Sequence, residues 1–372
     1  MRTKGMMLLL LAALSLSGCR VTGEVENQAY VLVLGVDRQP GGELQLTARV
    51  PQIGKSGDDS EGSGGYLAFS AGGGDWPQAL EALEQITPRP INLSHIELLV
   101  VSEALAQEEG FGKLAANIAE TPHLYTTARL VVCEGSARAF IDTQETVIGT
   151  RLSSEIDAML NHYAERGYIP ESSLAEAYYA LKGFYGDPVA IHGTVPEASQ
   201  PAVSLTQPQS FDGDEASPMK QRYSGAALFS NGRMVGTLPP AQTALLNLAR
   251  GGNAALPFEC EGSRYTLTPN GTARRTVDIE NGRVTLGIHL RFTTLDDVCA
   301  EDARRLEFEI ERAITDVIQR CQALDSDPFG FADTAAAQFS TISDWLSFDW
   351  RSRYGSAAVQ ADISIRAHDS ER

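Results

Sequence analysis

The sequence predicts an α+β fold made of three α/β-type domains with mixed and antiparallel sheets, the last an antiparallel sheet packed by one long helix. One reason is length, because 372 residues exceed what a single ordinary core organises. A second is that strand-like and helix-like patterns alternate up to about residue 135. A third is the amphipathic stretch Glu301 to Leu324, which follows two predicted hairpins. We expect a signal peptide and three domains, with bounds at 1–18, 19–135, 136–250 and 251–372.

The N-terminal residues predict a signal peptide that ends in a lipid-attachment cysteine. Two basic residues precede the apolar run Met6 to Leu16. A membrane-spanning helix needs about 20 residues, so this run is too short to span and is typical of a secretory signal. The small residues of Ser17-Gly18-Cys19 match the bacterial lipoprotein signal, in which the thiol is acylated and becomes the new N-terminus. An ordinary signal peptide with a chance cysteine is the alternative.

The first predicted domain alternates strands with helices. The segments 29–37 and 43–50 read as a hairpin, and 54–65 reads as a polar solvated loop. A helix is predicted from Asp75 to Ile86, with Asp75 as its N-cap. Further along, "SHIELLVVSEALA" reads as a buried strand that runs into a short helix. A second helix near 112–119 and the strand "TTARLVVC" complete the domain.

The middle domain begins with helical periodicity from residue 150, and its aromatic stripe is expected to be core. The strand "DPVAIHGTV" follows, and then comes a proline-rich loop at 196–218. "GAALFSNGRMVGTL" places Asn231-Gly232 between alternating strands, which is the strongest short-range hairpin signal. A short helix is expected near 240–248.

The last domain repeats the hairpin signal at Asn281-Gly282. Strand-like segments surround this turn, and the long helix follows them. The alternating residues 358–363 predict a closing strand that pairs with the hairpin. This pairing predicts an antiparallel sheet covered by one helix.

Composition excludes some classes of partner. The formal net charge is −18, and no basic run of five or more residues is present. Nucleic-acid binding depends on clustered Lys and Arg, so it is not expected, and neither is electrostatic docking to anionic lipid.

No catalytic or metal-binding motif stands out, so we expect no enzyme activity, no catalytic residue, no cofactor and no metal site. None of the six histidines are spaced i,i+4, and no nucleophile elbow or P-loop is present. "DSDPFG" at 325–330 begins like a calcium loop but has Phe329 and Ala336 where oxygen ligands belong. Its acids are expected to end the long helix, with Pro328 preventing its continuation.

The cysteines show no metal-ligand spacing. Cys133 and Cys321 are expected to be small buried hydrophobes. Cys260 and Cys299 could pair if the protein lies outside the cytoplasm, and the sequence leaves this open.

Taken in order, these stretches resemble the C-subunit lipoproteins of spore germinant receptors, the Ger(x)C family. The resemblance covers nearly the whole mature chain and is clearest in "YSGAALFSNGRMVGTL". Arg20-Val21 depart from the Trp-Asp that commonly follows the lipidated cysteine in the family, and Val33 occupies the position of a frequent second glycine. The other residues that carry the resemblance are Cys19, Glu24-Val25, Gly35-Val36-Asp37, "SHIELLVVSEALA", "DSDPFGF", Trp345, Trp350 and the closing strand.

The resemblance implies a non-enzymatic lipoprotein on the outer face of the spore inner membrane. There it would assemble with a membrane-embedded A subunit and a transporter-like B subunit that together sense nutrients. The alternative is an extracytoplasmic solute-binding lipoprotein, a class that usually has two similar lobes, although the sequence shows no internal duplication. An anchored hydrolase is a third, weaker hypothesis, because no nucleophile, metal or acid pair can be named for it.

Overall fold

The computed structural model describes residues 27–52, 65–144, 152–183, 186–195, 222–260, 262–296 and 298–367. Its strands are β1 (Ala29–Tyr30), β2 (Val33–Arg38), β3 (Leu44–Pro51), β4 (Tyr66–Gly73), β5 (Ile91–Asn92), β6 (Leu98–Ser102), β7 (Arg129–Cys133), β8 (Val189–Thr194), β9 (Arg222–Ser230), β10 (Arg233–Leu238), β11 (Leu256–Cys260), β12 (Ser263–Pro269), β13 (Arg274–Glu280), β14 (Arg283–Thr294) and β15 (Ala358–Ala367). Its helices are α1 (Trp76–Ile86), α2 (Glu103–Ala106), α3 (Phe111–Ala119), α4 (Ala137–Asp142), α5 (Leu152–Glu165), α6 (Leu174–Lys182), α7 (Pro240–Ala249), α8 (Ala300–Ala323), α9 (Phe331–Ala336), α10 (Ile342–Phe348) and α11 (Trp350–Tyr354). None of these helices is both long and apolar enough to cross a membrane.

The first sheet has eight strands in the order β10-β9-β8-β7-β6-β2-β3-β4. Its centre is parallel, from β2 through β6 and β7 to β8, and its flanks are antiparallel. Residues 27–238, which contain this sheet, are called the first unit below. The central strands read as near-continuous apolar runs because helices cover both of their faces.

Different helices cover the two faces of the first sheet. One core packs α1, α3 and α6 against Leu34, Leu99 and Leu130. The opposite core packs α4 and α5 against Val33, Val100 and the other alternating strand residues. Each strand thus contributes successive side chains to opposite cores, as the two-residue period of a strand requires.

Local signals in the sequence explain several helix starts. Asp75 accepts a hydrogen bond from Gln78 N at 2.9 Å and caps α1, as predicted. Ser173 and Glu176 form a reciprocal capping box at the start of α6. The short helix α4 was not predicted. Its N-cap is Ser136, and the Asp37 carboxylate at the end of β2 accepts two further hydrogen bonds, from Ala137 N at 2.7 Å and from Arg138 N at 3.0 Å.

The second sheet contains β11, β12, β14 and β13 in that order, with β15 on the free side of β14. Residues 239–367, which contain it, are called the second unit. The long helix α8 packs its buried side chains, among them Ile310, Ile314 and Val317, into the core of this unit. Both predicted Asn-Gly hairpins are present, β9–β10 and β13–β14.

The α+β class, the mixed sheets and the long helix over the last sheet are confirmed. One detail of the last sheet differs from the prediction, because β15 pairs parallel to β14 along its whole length. The second sheet is therefore mixed rather than wholly antiparallel. The connection from β14 to β15 includes α8 and is long enough for the crossover that parallel neighbours need.

The two units share apolar core. Val189, Ala226, Leu228 and Leu238 belong to the first sheet, yet they pack in the same cluster as α7 and α8. The proposed boundary at 135/136 separates strands that share the first sheet. The three-domain division remains a prediction, and the proline-rich loop at 196–218 lies outside the described residues.

Candidate functional site: a polar junction between the two units

A cluster of charged groups, two of them buried and two partly exposed, lies where the two units meet. We call it the polar junction and define it by Asp187, Ser230, Asp325, Asp327 and Arg351. Asp187 precedes β8 and Ser230 ends β9, so both belong to the first unit. The other three residues come from the loop after α8 and from α11 in the second unit. The junction thus joins segments that are distant in sequence.

Asp327 organises the loop after α8. Its Oδ1 accepts a hydrogen bond from Phe331 N at 3.1 Å, and its Oδ2 accepts one from Ala332 N at 2.7 Å. These backbone groups open α9 and have no acceptor within the helix, so the carboxylate supplies one. The predicted end of α8 before Pro328 is seen, since the helix stops at Ala323. Asp327 also accepts the first backbone hydrogen bonds of the next helix, a role that was not predicted from the sequence.

Asp187 connects the first unit to that loop through a reciprocal pair of hydrogen bonds. Its Oδ2 accepts a bond from Asp327 N at 3.0 Å, and its backbone N donates to Asp327 O at 3.1 Å. Its Oδ1 accepts a bond from Arg351 Nη2 at 2.7 Å. The Asp187 side chain is only 5% exposed, so this carboxylate depends on protein donors rather than on water.

The Arg351 guanidinium links three segments at once. In addition to Asp187 it donates from Nη1 to Ser230 Oγ and to Asp325 O, both at 3.2 Å. The Asp325 carboxylate lies 3.6 Å from the same nitrogen. A planar fork of donors suits this geometry, which a lysine ammonium could not reproduce.

A buried hydrogen-bond chain supports the loop from behind. Tyr354 donates its hydroxyl to Ser326 O at 2.9 Å. Gln322 Nε2 in turn donates to Tyr354 O at 2.7 Å and to Ala357 O at 3.0 Å. These bonds fix the end of α8 against α11, so the loop that carries Asp325 and Asp327 is held on both sides.

Burial dominates the electrostatics of the junction. It raises the pKa of Asp327 to about 6, although the bonds from Ala332 N and Phe331 N act in the opposite direction. It also raises the pKa of Asp187, against the opposing effect of Arg351. Two carboxylates with raised pKa values in one cluster are typical of functional sites, and structural networks produce them too.

Clefts open on two sides of the junction. One has a volume of about 390 Å³ and lies between α6 and the loop, with Arg250, Arg275 and Asp333 among its lining residues. A second, of about 370 Å³, is lined by Asn231-Gly232, Lys113 and Arg351. The glycine backbone of the predicted Asn231-Gly232 hairpin turn packs against Gly112 at this cleft.

The other residues singled out from the sequence lie elsewhere. Cys19 and nearly all of the 54–65 loop fall outside the described residues. In the turn Asn281-Gly282, the glycine carbonyl accepts a hydrogen bond from Arg353 Nη1 at 2.7 Å. Cys133 and Cys321 are buried, as predicted. No disulfide joins Cys260 to Cys299.

The described titratable groups do not form an evident reaction centre. Burial raises the pKa of the Cys133 and Cys321 thiols, which suppresses the reactive thiolate. It lowers the pKa of His192, whose Nε2 lies 3.8 Å from Glu134. Within the described ranges, no three His, Cys, Asp or Glu side chains are grouped to hold a metal ion.

Two family models match the chain in succession. The model for the N-terminal domain of spore germination proteins matches residues 22–194. The model described as spore germination B3/GerAC-like, C-terminal, matches residues 224–370. The polar junction therefore takes Asp187 from the first matched region and Ser230, Asp325, Asp327 and Arg351 from the second.

Individual spore germination proteins and one solved structure are also similar to this chain. The putative spore germination protein YfkR of Bacillus subtilis (strain 168) is 23% identical over 369 residues, covering 93% of this chain and 91% of that protein. Spore germination protein KC of the same organism is 27% identical over 130 residues, which cover 34% of this chain and 32% of that protein. The crystal structure of the GerBC protein has the same fold, with a TM-score of 0.53 at 15% identity, covering 90% of this chain and 97% of that one.

Proposed function

The chain belongs to the family of GerAC-like spore germination proteins, and on this premise we propose that it is a lipid-anchored, non-enzymatic subunit of a nutrient germinant receptor. In this role it assembles with the membrane-embedded A subunit and the transporter-like B subunit. It lies on the outer face of the spore inner membrane and acts through protein contact. Its own part in germination is to bind and position the other subunits rather than to catalyse a reaction.

The observation that carries the proposal is that both family models match in order and together cover most of the chain. The similarity to YfkR extends over nearly the full length of both proteins, so it is not a shared single module. The GerBC fold covers both units as well. These matches support a role that uses the whole two-unit molecule.

The proposed anchor is Cys19, which follows an apolar run too short to span a bilayer. Two acyl chains on a thioether-linked glycerol give stable attachment, whereas one chain would be marginal. The anchor would leave all of the described residues outside the membrane. It would also keep the subunit at the surface where its partners are embedded.

The geometry also favours a contact role over a solute-binding role. A solute-binding lipoprotein usually has two similar lobes around its cleft, whereas the two sheets here differ in strand number and order. At the polar junction the charged groups satisfy one another across the two units. This arrangement is suited to holding one relative orientation of the units rather than to opening and closing around a solute.

The decisive experiment is affinity purification of the tagged full-length protein from spore membranes, followed by identification of the proteins that accompany it. We expect the A and B subunits of a germinant receptor to be recovered together with it. Recovery of the protein alone, under detergent conditions that preserve other membrane complexes, would contradict the proposal.

The anchor has its own test. Replacing Cys19 with Ala is expected to abolish incorporation of labelled palmitate and to release the protein from the membrane fraction. Cys299→Ala is the matched control, because Cys299 is exposed in the second unit and its loss leaves the predicted anchor intact. Equal labelling of the two variants would mean that Cys19 is not the lipid-attachment site.

A further inference from the structure

Arg250 is a partly buried arginine in the 390 Å³ cleft beside the polar junction. It is the C-cap residue of α7, and its side chain lines the cleft. Its guanidinium makes no hydrogen bond or ion pair with any described residue. Burial lowers its pKa, because a desolvated cation without a partner is unfavourable. A charge held in this state needs a counterion.

Arg275 brings a second guanidinium to the same cleft. It reaches the cleft from β13 and donates Nη1 to Phe329 O. Its positive charge also acts to lower the pKa of Arg250, to which burial contributes most. Glu176, Asp187 and Asp333 line the same cleft, so it favours an anion only where these carboxylates have other partners and leave an arginine unneutralised.

The carboxylates that line the cleft have partners other than Arg250. The exposed Asp333 lies beside Arg275, where both side chains approach Gly330. The Glu176 carboxylate accepts the Ser173 N–H at 3.0 Å in the α6 capping box. The Asp187 carboxylate accepts a hydrogen bond from Arg351, and the Asp327 carboxylate accepts one from Ala332 N. Glu171 and Glu176 raise the pKa of Arg250 from a distance but form no ion pair with it among the described residues. The counterion of Arg250 is therefore not supplied by these acids.

We propose that this cleft binds a small molecule through a carboxylate or phosphate group, with Arg250 as its main contact and Arg275 as a second donor. Both ligand groups share the oxygen geometry that a guanidinium fork binds with two parallel hydrogen bonds. The volume falls in the range of small-molecule sites, and such sites are common where two domains meet. Pro188, Val189 and Phe329 give the cleft an apolar wall for the rest of the molecule.

The test measures anion binding by the full-length protein in detergent, independently of its assembly with other subunits. Thermal unfolding is followed by tryptophan fluorescence in inorganic phosphate, in succinate and in sodium chloride of equal ionic strength. We expect phosphate or succinate to raise the midpoint above that in chloride, because a ligand that binds only the folded state stabilises it. Which of the two anions acts identifies the class of ligand group.

Variants at Arg250 locate the site. Arg250→Met is expected to weaken anion binding, measured by titration calorimetry, by about tenfold or more, since a charge-assisted hydrogen bond is lost. It should also raise the midpoint in chloride, because a partly buried charge without an ion-pair partner is removed. Arg250→Lys keeps the charge without the fork and should bind with intermediate affinity.

Arg264→Met is the matched control, because Arg264 is an exposed arginine on β12 of the same unit. It should respond to anions like the wild-type protein. The proposal is overturned if the wild-type midpoint is the same in all three salts. It is also overturned if Arg250→Met and Arg264→Met respond to the anions equally.

Discussion

Asp327 is a residue on which opposing physical effects act. Two backbone N–H groups of α9 favour its ionised form. Complete burial and the nearby Asp187 favour its protonated form, and burial is the largest effect. The folded state therefore binds a proton at this carboxyl at a higher pH than the unfolded chain does.

This difference predicts how stability depends on pH. Below the unfolded pKa of 3.8 both states are protonated, and above the folded value of about 6 both are ionised. Between these values the folded state holds more protons, so the free energy of unfolding falls as the pH rises. Because one pKa unit is worth about 1.4 kcal/mol, the contribution is about 3 kcal/mol across the interval. Asp327→Asn removes this term, so its stability relative to wild type should improve steadily from pH 4 to pH 7 in urea titrations.

The control for this prediction is Asp316→Asn, which changes an exposed carboxylate on α8. Its difference from wild type is expected to stay constant over the same pH range. If the Asp327→Asn and wild-type stabilities ran parallel from pH 4 to pH 7, Asp327 would not be the source of the dependence.

At the scale of elements, the β9–β10 hairpin shows what the sequence encodes strongly. Asn231 and Gly232 both take positive φ values, 50° and 78°, as a two-residue hairpin turn of this kind requires. Gly225 is a second special position in the same hairpin, with a φ of +89°. A Cβ at Gly225 would overlap the backbone oxygen of Leu238 on the paired strand.

Three glycine substitutions separate the two reasons for a glycine at position 225, which are the left-handed φ and the lack of space for a Cβ. Gly225→Ala combines a left-handed φ with a backbone clash, and we expect it to lower the free energy of unfolding by about 3 kcal/mol. Gly262→Ala has a φ of +81° in open space, so it should cost about 1 kcal/mol. Gly41→Ala has open space and no left-handed φ, and it should be close to neutral. Urea unfolding of the three variants checks the order, and equal losses at Gly225 and Gly262 would remove the clash from the explanation.

Other element-level features could not be predicted from local pattern. The closing strand β15 was expected from its alternation, but alternation indicates which side chains face the core and not the direction of pairing. Its parallel direction follows from the path through α8, α9, α10 and α11. The helix α4 has only six residues and was missed although its N-cap, Ser136, directly precedes it. Its other acceptor, Asp37, lies about a hundred residues earlier in the chain.

At the scale of the molecule, the sequence predicted the α+β class and most strands and helices but not the polar junction. The "DSDPFG" segment was recognised in the sequence as an incomplete calcium loop, whereas no sequence pattern pointed to Asp187 or Arg351. The residues of the Asp187–Arg351 pair are 164 positions apart, and each has an unremarkable local context. Such a site becomes visible only when the fold has brought the two units together.

The junction and the shared apolar cluster together predict that the two units unfold as one. Arg351→Met leaves the buried Asp187 carboxylate without its cation, which is strongly destabilising for a buried pair. Because the Arg351 side chain is 37% exposed, we expect a moderate loss of about 2 kcal/mol. Arg312→Met removes an exposed i,i+3 pair with Glu309, and it should cost about 0.4 kcal/mol.

Hydrogen exchange measured by mass spectrometry distinguishes local from global loss. Val189, Ala226, Leu228 and Leu238 of the first sheet pack in the core of the second unit, so opening either unit exposes the other. We therefore expect Arg351→Met to reduce protection equally in peptides from β6 and from β14. The Asp187→Asn, Arg351→Met double variant should regain part of the lost stability, because no uncompensated carboxylate remains. A loss of protection confined to β14 would show instead that the second unit unfolds independently of the first.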